Sequence, residues 1–316
     1  MSGKIFCFGV VVADLIARQI PRLPGAGESA RTPAISLALG GCAANTATGL
    51  ARLGQPVLLC GAVGDDDLGN FLRRELSKEG VDLRNLCVES GIPTGVSFVI
   101  NVDGQDRRFI SATGANDEAW PERFEIDQLE AAAVVSFHGY GLANRPSVED
   151  VESILQSARK AGATTVLDVI VIPGEDLLPD LERLLPLVDV FLPNDDEARR
   201  LTGTDDSRQA ARQLKAMGAQ TVVVTCGERG ALWEDPQGCG QIGAPEVVEI
   251  DGTGCGDAFA AGWIDASLRG ADLEDKLLTA CAMGALVAAA EGAIDGLPDR
   301  SGLDELMRNL RQASLL

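Results

Sequence analysis

Short runs of β-branched and aliphatic residues alternate along the chain with longer stretches whose apolar positions recur every three or four residues. Ile5 to Val12, Val57 to Val63, Val134 to His138, Thr165 to Asp168, Val188 to Leu192 and Thr221 to Thr225 are continuous enough in apolar character to predict buried strands. The stretches 41–53, 67–79, 148–161, 195–202, 206–217 and 257–269 carry helical spacing. Strand then helix, repeated, predicts a doubly wound α/β fold. Its sheet is mostly parallel with helices on both faces, and ligands bind at the carboxyl ends of its strands.

One segment breaks the alternation. Thr94 to Ile110 contains two strand-like runs around Asp103-Gly104, a dipeptide suited to a type I′ hairpin turn. With the Pro- and Gly-rich stretch Pro21 to Ile35 it predicts a small sheet outside the main one, formed by segments of about 15–39 and 94–110. A lid over a substrate and an edge extension without function both fit that pattern. No internal repeat or long linker divides residues 1–316, so the whole chain reads as one domain.

Composition narrows the class. A formal net charge of −20 repels nucleic-acid phosphates and anionic lipid, which argues against nucleic-acid and membrane partners. It leaves phosphate binding by backbone N–H groups or divalent cations open. The eight cysteines are scattered without any C-x-x-C pair, so neither a zinc site nor a disulfide framework is expected. The opening run resembles a leader only superficially, because it is short, carries one charge ahead of it and is closed by Asp14; a buried first strand and a cytoplasmic location are the expectation.

The densest chemical signal is Asp251-Gly252-Thr253-Gly254-Cys255-Gly256-Asp257, followed by a helical stretch. Alternate glycines let the backbone turn sharply and present N–H groups at a helix start, which suits a phosphoryl group whose oxygens stay negative. Asp257, in the first helical turn, is expected to be held ionised by the helix dipole. The residues themselves leave it open between a base and a helix cap. Cys255 likewise stands between an acidified, reactive thiol and an inert small residue.

Asp257 and its loop resemble the second signature, D-T-x-G-A-G-D, of the ribokinase-like (PfkB) carbohydrate kinases, with Cys255 in place of the usual Ala. Gly40-Gly41-Cys42-Ala43-Ala44-Asn45, continuing to Arg52-Leu53-Gly54, is similar to the first, and the likeness runs from Gly9 to about Pro298. The resemblance implies a ribokinase-like fold with a β lid, and ATP-dependent phosphorylation of a hydroxymethyl group on a sugar or sugar-like substrate. It implies Asp257 as general base and Gly254, Cys255 and Gly256 as the anion hole. Asp14, Gly41, Asn45 and Asn116 correspond to substrate-binding positions. Asn194 and Glu197 match an N-x-x-E motif that positions Mg2+ through water, although Asn194 also reads as an N-cap with Glu197 three residues on.

Thr225 and Gly227 resemble nucleotide contacts of a T-x-G-x-x-G turn, and Asp251 and Thr253, with Gly292-Ala293, resemble a region that binds a monovalent cation such as K+ in some relatives. A homodimer paired through the lids is a further implication. One departure bears on substrate: where many relatives read D-x-N-x-R, this chain reads Asp168-Val169-Ile170-Val171-Ile172. His138, the only histidine, reads as structural, and Arg107 and Arg108 as lid charges within reach of a substrate phosphate or carboxylate. A nucleoside kinase of the same family and a non-catalytic sugar sensor remain as alternatives. A dinucleotide-binding dehydrogenase is disfavoured, since no G-x-G-x-x-G joins the first strand to a helix.

Overall fold

The structure, a computed structural model, describes residues 3–105, 107–118, 124 and 126–313. In chain order the strands are β1 (Lys4–Gly9), β2 (Val12–Ile20), β3 (Ile35–Gly40), β4 (Val57–Gly64), β5 (Leu86–Glu89), β6 (Gly95–Val102) and β7 (Arg108–Ala112). They continue as β8 (Ala132–Tyr140), β9 (Thr164–Val169), β10 (Val190–Phe191), β11 (Thr221–Thr225), β12 (Ala231–Glu234) and β13 (Cys239–Ile242). The helices are α1 (Cys42–Arg52), α2 (Asp67–Lys78), α3 (Val148–Lys160), α4 (Leu178–Leu184), α5 (Asp195–Thr202), α6 (Ser207–Ala216), α7 (Cys255–Leu268), α8 (Leu273–Ala288) and α9 (Arg300–Ala313). Among the described residues no helix is long and apolar enough to cross a membrane.

Nine strands form the main sheet in the order β13-β12-β11-β10-β9-β8-β1-β4-β5. Pairing is parallel from β11 to β5 and antiparallel at the β11–β12–β13 edge. Its two faces can be read from β1 alone. Ile5 and Cys7 point into a core shared with α1, α2, α7, α8 and α9. Phe6 and Phe8 point into the opposite core, with α3, α4, α5 and α6. All four side chains are fully buried, the Ile and Phe each worth roughly 1.5–3 kcal/mol of transfer free energy, which is why the strand is apolar at consecutive positions from Ile5 to Phe8 instead of every second one.

The small sheet has the order β3-β2-β6-β7. Its β6–β7 hairpin falls where the sequence predicts it, but only Gly104 takes positive φ, at 68°, so the Asp103-Gly104 turn is not type I′, which needs positive φ at both central residues. A second correction concerns the first strand. It ends at Gly9, and after Val10 and Val11 the chain enters the small sheet as β2. Asp14 therefore belongs to the small sheet, the candidate lid, opposite Ala38 and Ser97. Pro21 to Ala34 only connects β2 to β3. Three helices, α4, α8 and α9, are not among those predicted: α4 spans only seven residues, α8 is apolar on nearly every side and gives no periodic stripe, whereas α9 buries Leu303 and Met307 with regular helical spacing.

Candidate active site

Two glycine-capped helices meet at the carboxyl edge of the main sheet. α1 begins after Gly41, with φ 94°, and α7 after Gly254, with φ 78°; neither has a side-chain cap. Both backbones demand the positive φ that only glycine adopts cheaply. Gly254 also lies flat on Ala293, leaving no room for a Cβ.

The helices are laced together by side chains 212 positions apart in sequence: Asn45 Nδ2 donates to Asp257 Oδ2 at 2.8 Å. Thr46 Oγ1 donates to the Asp257 carbonyl at 3.3 Å. Asn45 Oδ1 is buried without a partner among the described residues, so this amide retains an acceptor that a hydroxyl donor would satisfy.

Electrostatics overturns one expectation. Burial pushes Asp257 up to about 7, while the Asn45 amide, the Cys42 thiol and the Arg107 charge pull it down. Loss of water around the carboxylate outweighs the helix start that was expected to keep it low. Asp14, buried on β2, is also raised to about 7, first by desolvation and then by Asp257 and Asp251.

The structure adds two groups that the sequence reading did not assign to the site. Cys42 Sγ and carboxylate oxygens of Asp168 and Asp257 lie within 4.8 Å of one another. Asp168 accepts from Gly139 N at 2.9 Å and is raised well above the ordinary carboxylate value, first by burial and then by Glu197 and Asp257. The Cys42 thiol is raised too, so it stays protonated. Their sequence signals were present but weak: Cys42 sits inside the first signature, and Asp168 ends a buried strand. The apolar run after Asp168 still serves the site through its backbone, since the Val171 N–H holds Glu197.

Asn194 and Glu197 form a complete capping box at α5, with Asn194 Oδ1 accepting from Glu197 N and Glu197 Oε2 accepting from Asn194 N, both at 2.8 Å. Desolvation nevertheless raises Glu197 to about 7. A bridge between Asn194 and Thr225 joins this loop to the turn carrying Thr225 and Gly227. The N-x-x-E and T-x-G segments are thus neighbours at the ends of β10 and β11.

Asn116 has a structural role that the sequence did not show. Its amide is engaged by the protein itself: its Oδ1 accepts from Val11 N, and its Nδ2 donates to Val11 O and Thr113 O. At 2% exposure it staples the chain entering the lid to the chain leaving it. The paired glycines of the first signature are tightly packed. The space of a Gly40 Cβ is taken by the Asp14 carboxylate, and that of Gly41 by the Val10–Val11 backbone, so glycine is required at both by close packing of the chain itself.

Asp251 accepts from Thr253 N and Oγ1 through Oδ1 and from Gly292 N through Oδ2, which fastens the anion loop to the 292–293 turn. Cys255 is pushed up to about 12 by burial, and that removes the reactive-thiol reading. His138, 1% exposed and lowered to about 3, is a neutral core residue with its Nδ1 3.4 Å from Thr46 Oγ1.

A cleft of about 1080 Å³ opens between the lid and these loops, lined by Ile16, Ser36, Ala38 and Arg107 from the lid side and by residues 249–252 and 291–295 opposite. Arg18 pairs with Glu291 across it at 2.6 Å.

Comparison with known proteins agrees with this geometry. The chain is 33% identical to a ribokinase of Arabidopsis thaliana over 95% of its own length and 80% of the relative's. It is 29% identical to a fructokinase of Klebsiella pneumoniae over 98% of this chain and all of the other. The structure of Arabidopsis thaliana ribokinase complexed with ribose and ATP superposes with a TM-score of 0.84 at 28% identity, covering 97% of this chain and 99% of that one. The model of the pfkB family carbohydrate kinases matches residues 2–300, and the chain belongs to that family.

Proposed function

We propose that this ATP-dependent carbohydrate kinase phosphorylates a hydroxymethyl group of a sugar or sugar-like polyol, with Asp257 as the base. The observation that carries this reading is the 2.8 Å bond between Asn45 and Asp257, which joins a substrate-side amide with a spare acceptor to a carboxylate poised at about 7. Asp14 accepts from neighbouring hydroxyls, and Asn45 accepts from the hydroxyl next to the reacting one. Asp257 removes the proton of the attacking hydroxyl as its oxygen bonds to the γ-phosphorus; the bridging P–O bond breaks and ADP leaves. The open N terminus of α7, with Gly254, Cys255 and Gly256, receives the negative oxygens through backbone N–H groups.

Asp168 and Asp257 lie within reach of one another, Glu197 acts electrostatically on Asp168, and burial raises all three despite their hydrogen bonds, which suits a hard divalent cation such as Mg2+. When bound, Mg2+ offsets phosphate charge, and Glu197 is the residue proposed to hold it through water. Thr225 and Gly227 are proposed to contact the nucleotide. Asp251 and Thr253 fit K+ less well, because both Asp251 carboxylate oxygens already accept from their own loops, and no step is assigned to that ion.

The outer face of the lid, where β-register puts Leu15, Ile35, Leu37 and Ile110 together, supports pairing with a second copy of the chain. Light scattering of the purified protein tests this, and a monomer mass at micromolar concentration sinks it. The activity test is ADP release from Mg·ATP with a panel of pentoses, hexoses, ketoses, sugar acids, phosphosugars and nucleosides. Turnover of nucleosides alone selects the nucleoside kinase alternative. Sugar binding with no turnover across the panel selects the sensor.

A further inference from the structure

We propose that Arg107 is a further catalytic residue, a lid-borne cation that pairs directly with the transferring phosphoryl group when the lid lies over the glycine loop. This rests on the kinase reading above and adds a group that neither signature contains. Arg107 immediately precedes β7 and shares its inward face with Phe109, while Arg108 points to solvent. Its Nη1 occupies the place that a Cβ on Gly252 would need, so the guanidinium rests on the first turn of the glycine loop, with Glu249 Oε1 3.1 Å from the same point and therefore an acid that an incoming phosphoryl group must replace as its partner. The Phe109 ring, 5.8 Å from Cζ, supports it from the lid side.

The reach of this charge identifies its ligand. The Arg107 charge lowers both Cys255 and Asp257, the hole and the base, against the larger effect of burial. The charges acting on Asp14, on the sugar side, are instead Asp257 and Asp251. A phosphoryl group entering here passes Asp168, Asp257 and Glu197, so a positive guanidinium over the loop answers a repulsion that backbone N–H groups alone leave standing. The space in front of Gly256 is open, since a Cβ there would meet nothing within 4 Å. Arginine suits the task because its planar fork meets two phosphoryl oxygens at once. Its place on the lid makes full charge neutralisation depend on the lid being down, which couples closure to transfer.

The test is calorimetric titration of the full-length wild-type, Arg107→Gln and Arg107→Lys proteins with Mg·ADP, and with Mg·ADP plus aluminium fluoride as a mimic of the transferring group. Arg107→Gln is expected to bind the fluoride complex weaker by on the order of 100-fold while binding Mg·ADP unchanged, with Arg107→Lys recovering part of the loss. With whichever sugar the wild type turns over, kcat falls and the sugar KM holds. Equal weakening of both ligands, no weakening of either, or no wild-type preference for the fluoride complex overturns the proposal. So does a loss confined to the KM of a phosphorylated or carboxylated substrate, which would make Arg107 a substrate contact. If no sugar is turned over, the kinase reading fails, and the titration still decides Arg107.

Discussion

Seven of the described helix starts fall into two kinds. α2, α3, α5, α6 and α8 are capped by the side chains of Asp66, Ser147, Asn194, Asp206 and Asp272, each accepting from backbone N–H groups of the first turn. α1 and α7 begin with Gly41 and Gly254, which offer no side chain. A capped start has spent donors on its own chain; an uncapped one keeps them for something else. The two glycine starts are the two that face each other through Asn45 and Asp257, whereas α4, the other start without a side-chain cap, begins at Leu177 with a proline in its first turn. Glycine in place of a capping side chain costs each of these helices only a few tenths of a kcal/mol, so a bare start is cheap wherever its donors serve a ligand.

Removing the base should produce the largest effect. Asp257→Asn keeps a hydrogen-bonding side chain beside Asn45 but accepts no proton, so kcat should fall on the order of 100- to 10,000-fold in an ADP-release assay, with the fold intact by circular dichroism. Wild-type kcat/KM should rise with pH and level off above about 7, as Asp257 gives up its proton.

Stability runs the other way. Asp14 and Asp257 have folded values near 7 against an ordinary 3.8, so the folded state binds more protons than the unfolded one between those values. The stabilisation is complete below about 4 and is lost as pH rises through 7. The melting temperature of the ligand-free protein should therefore be lower at pH 8 than at pH 5, and Asp257→Asn should flatten that slope. A wild-type melting temperature that climbs between pH 5 and 8 would contradict the assignment.

The two glycine signatures made the uncapped starts legible, because glycine at alternate or paired positions before a helical period has few other uses. The main sheet was legible for the same local reason, since strands buried on both faces leave continuous apolar runs. What escaped depended on distance. Nothing in the spacing of Cys42 and Asp168 says that they converge on Asp257, and nothing near Asn116 says that its amide is consumed by Val11, 105 residues earlier. The shift of Asp257 escaped for an energetic reason: position in a helix can be read from sequence, but desolvation is set by the elements that close over the site. The break between β1 and β2 was hidden because Val10 to Ala13 stay apolar while the chain changes sheets.

A reciprocal exchange of caps sharpens the comparison and spans its remaining range. Gly254→Asn would give α7 the cap that α5 has. Asn tolerates positive φ better than other side chains, but its Cβ must displace Ala293 and its oxygen competes for the donors of the anion loop. Turnover should drop by roughly 100- to 1,000-fold, the cost of losing oxyanion donors, with a much smaller change in melting temperature. Asn194→Gly would give α5 the bare start of α7. Glycine at an N-cap costs only a few tenths of a kcal/mol relative to Asn. The Glu197 N–H loses its acceptor, and the Glu197 carboxylate keeps its bond to the residue 194 backbone. Melting should shift by a degree or two at most, and nucleotide affinity should change little if Asn194 acts chiefly as a cap. A loss of Mg·ATP affinity out of proportion to that shift would instead put Asn194 among the groups that hold the nucleotide and its metal. In that case α5 too would be a helix start reserved for ligand, and the division between capped and open helices would fail at that element.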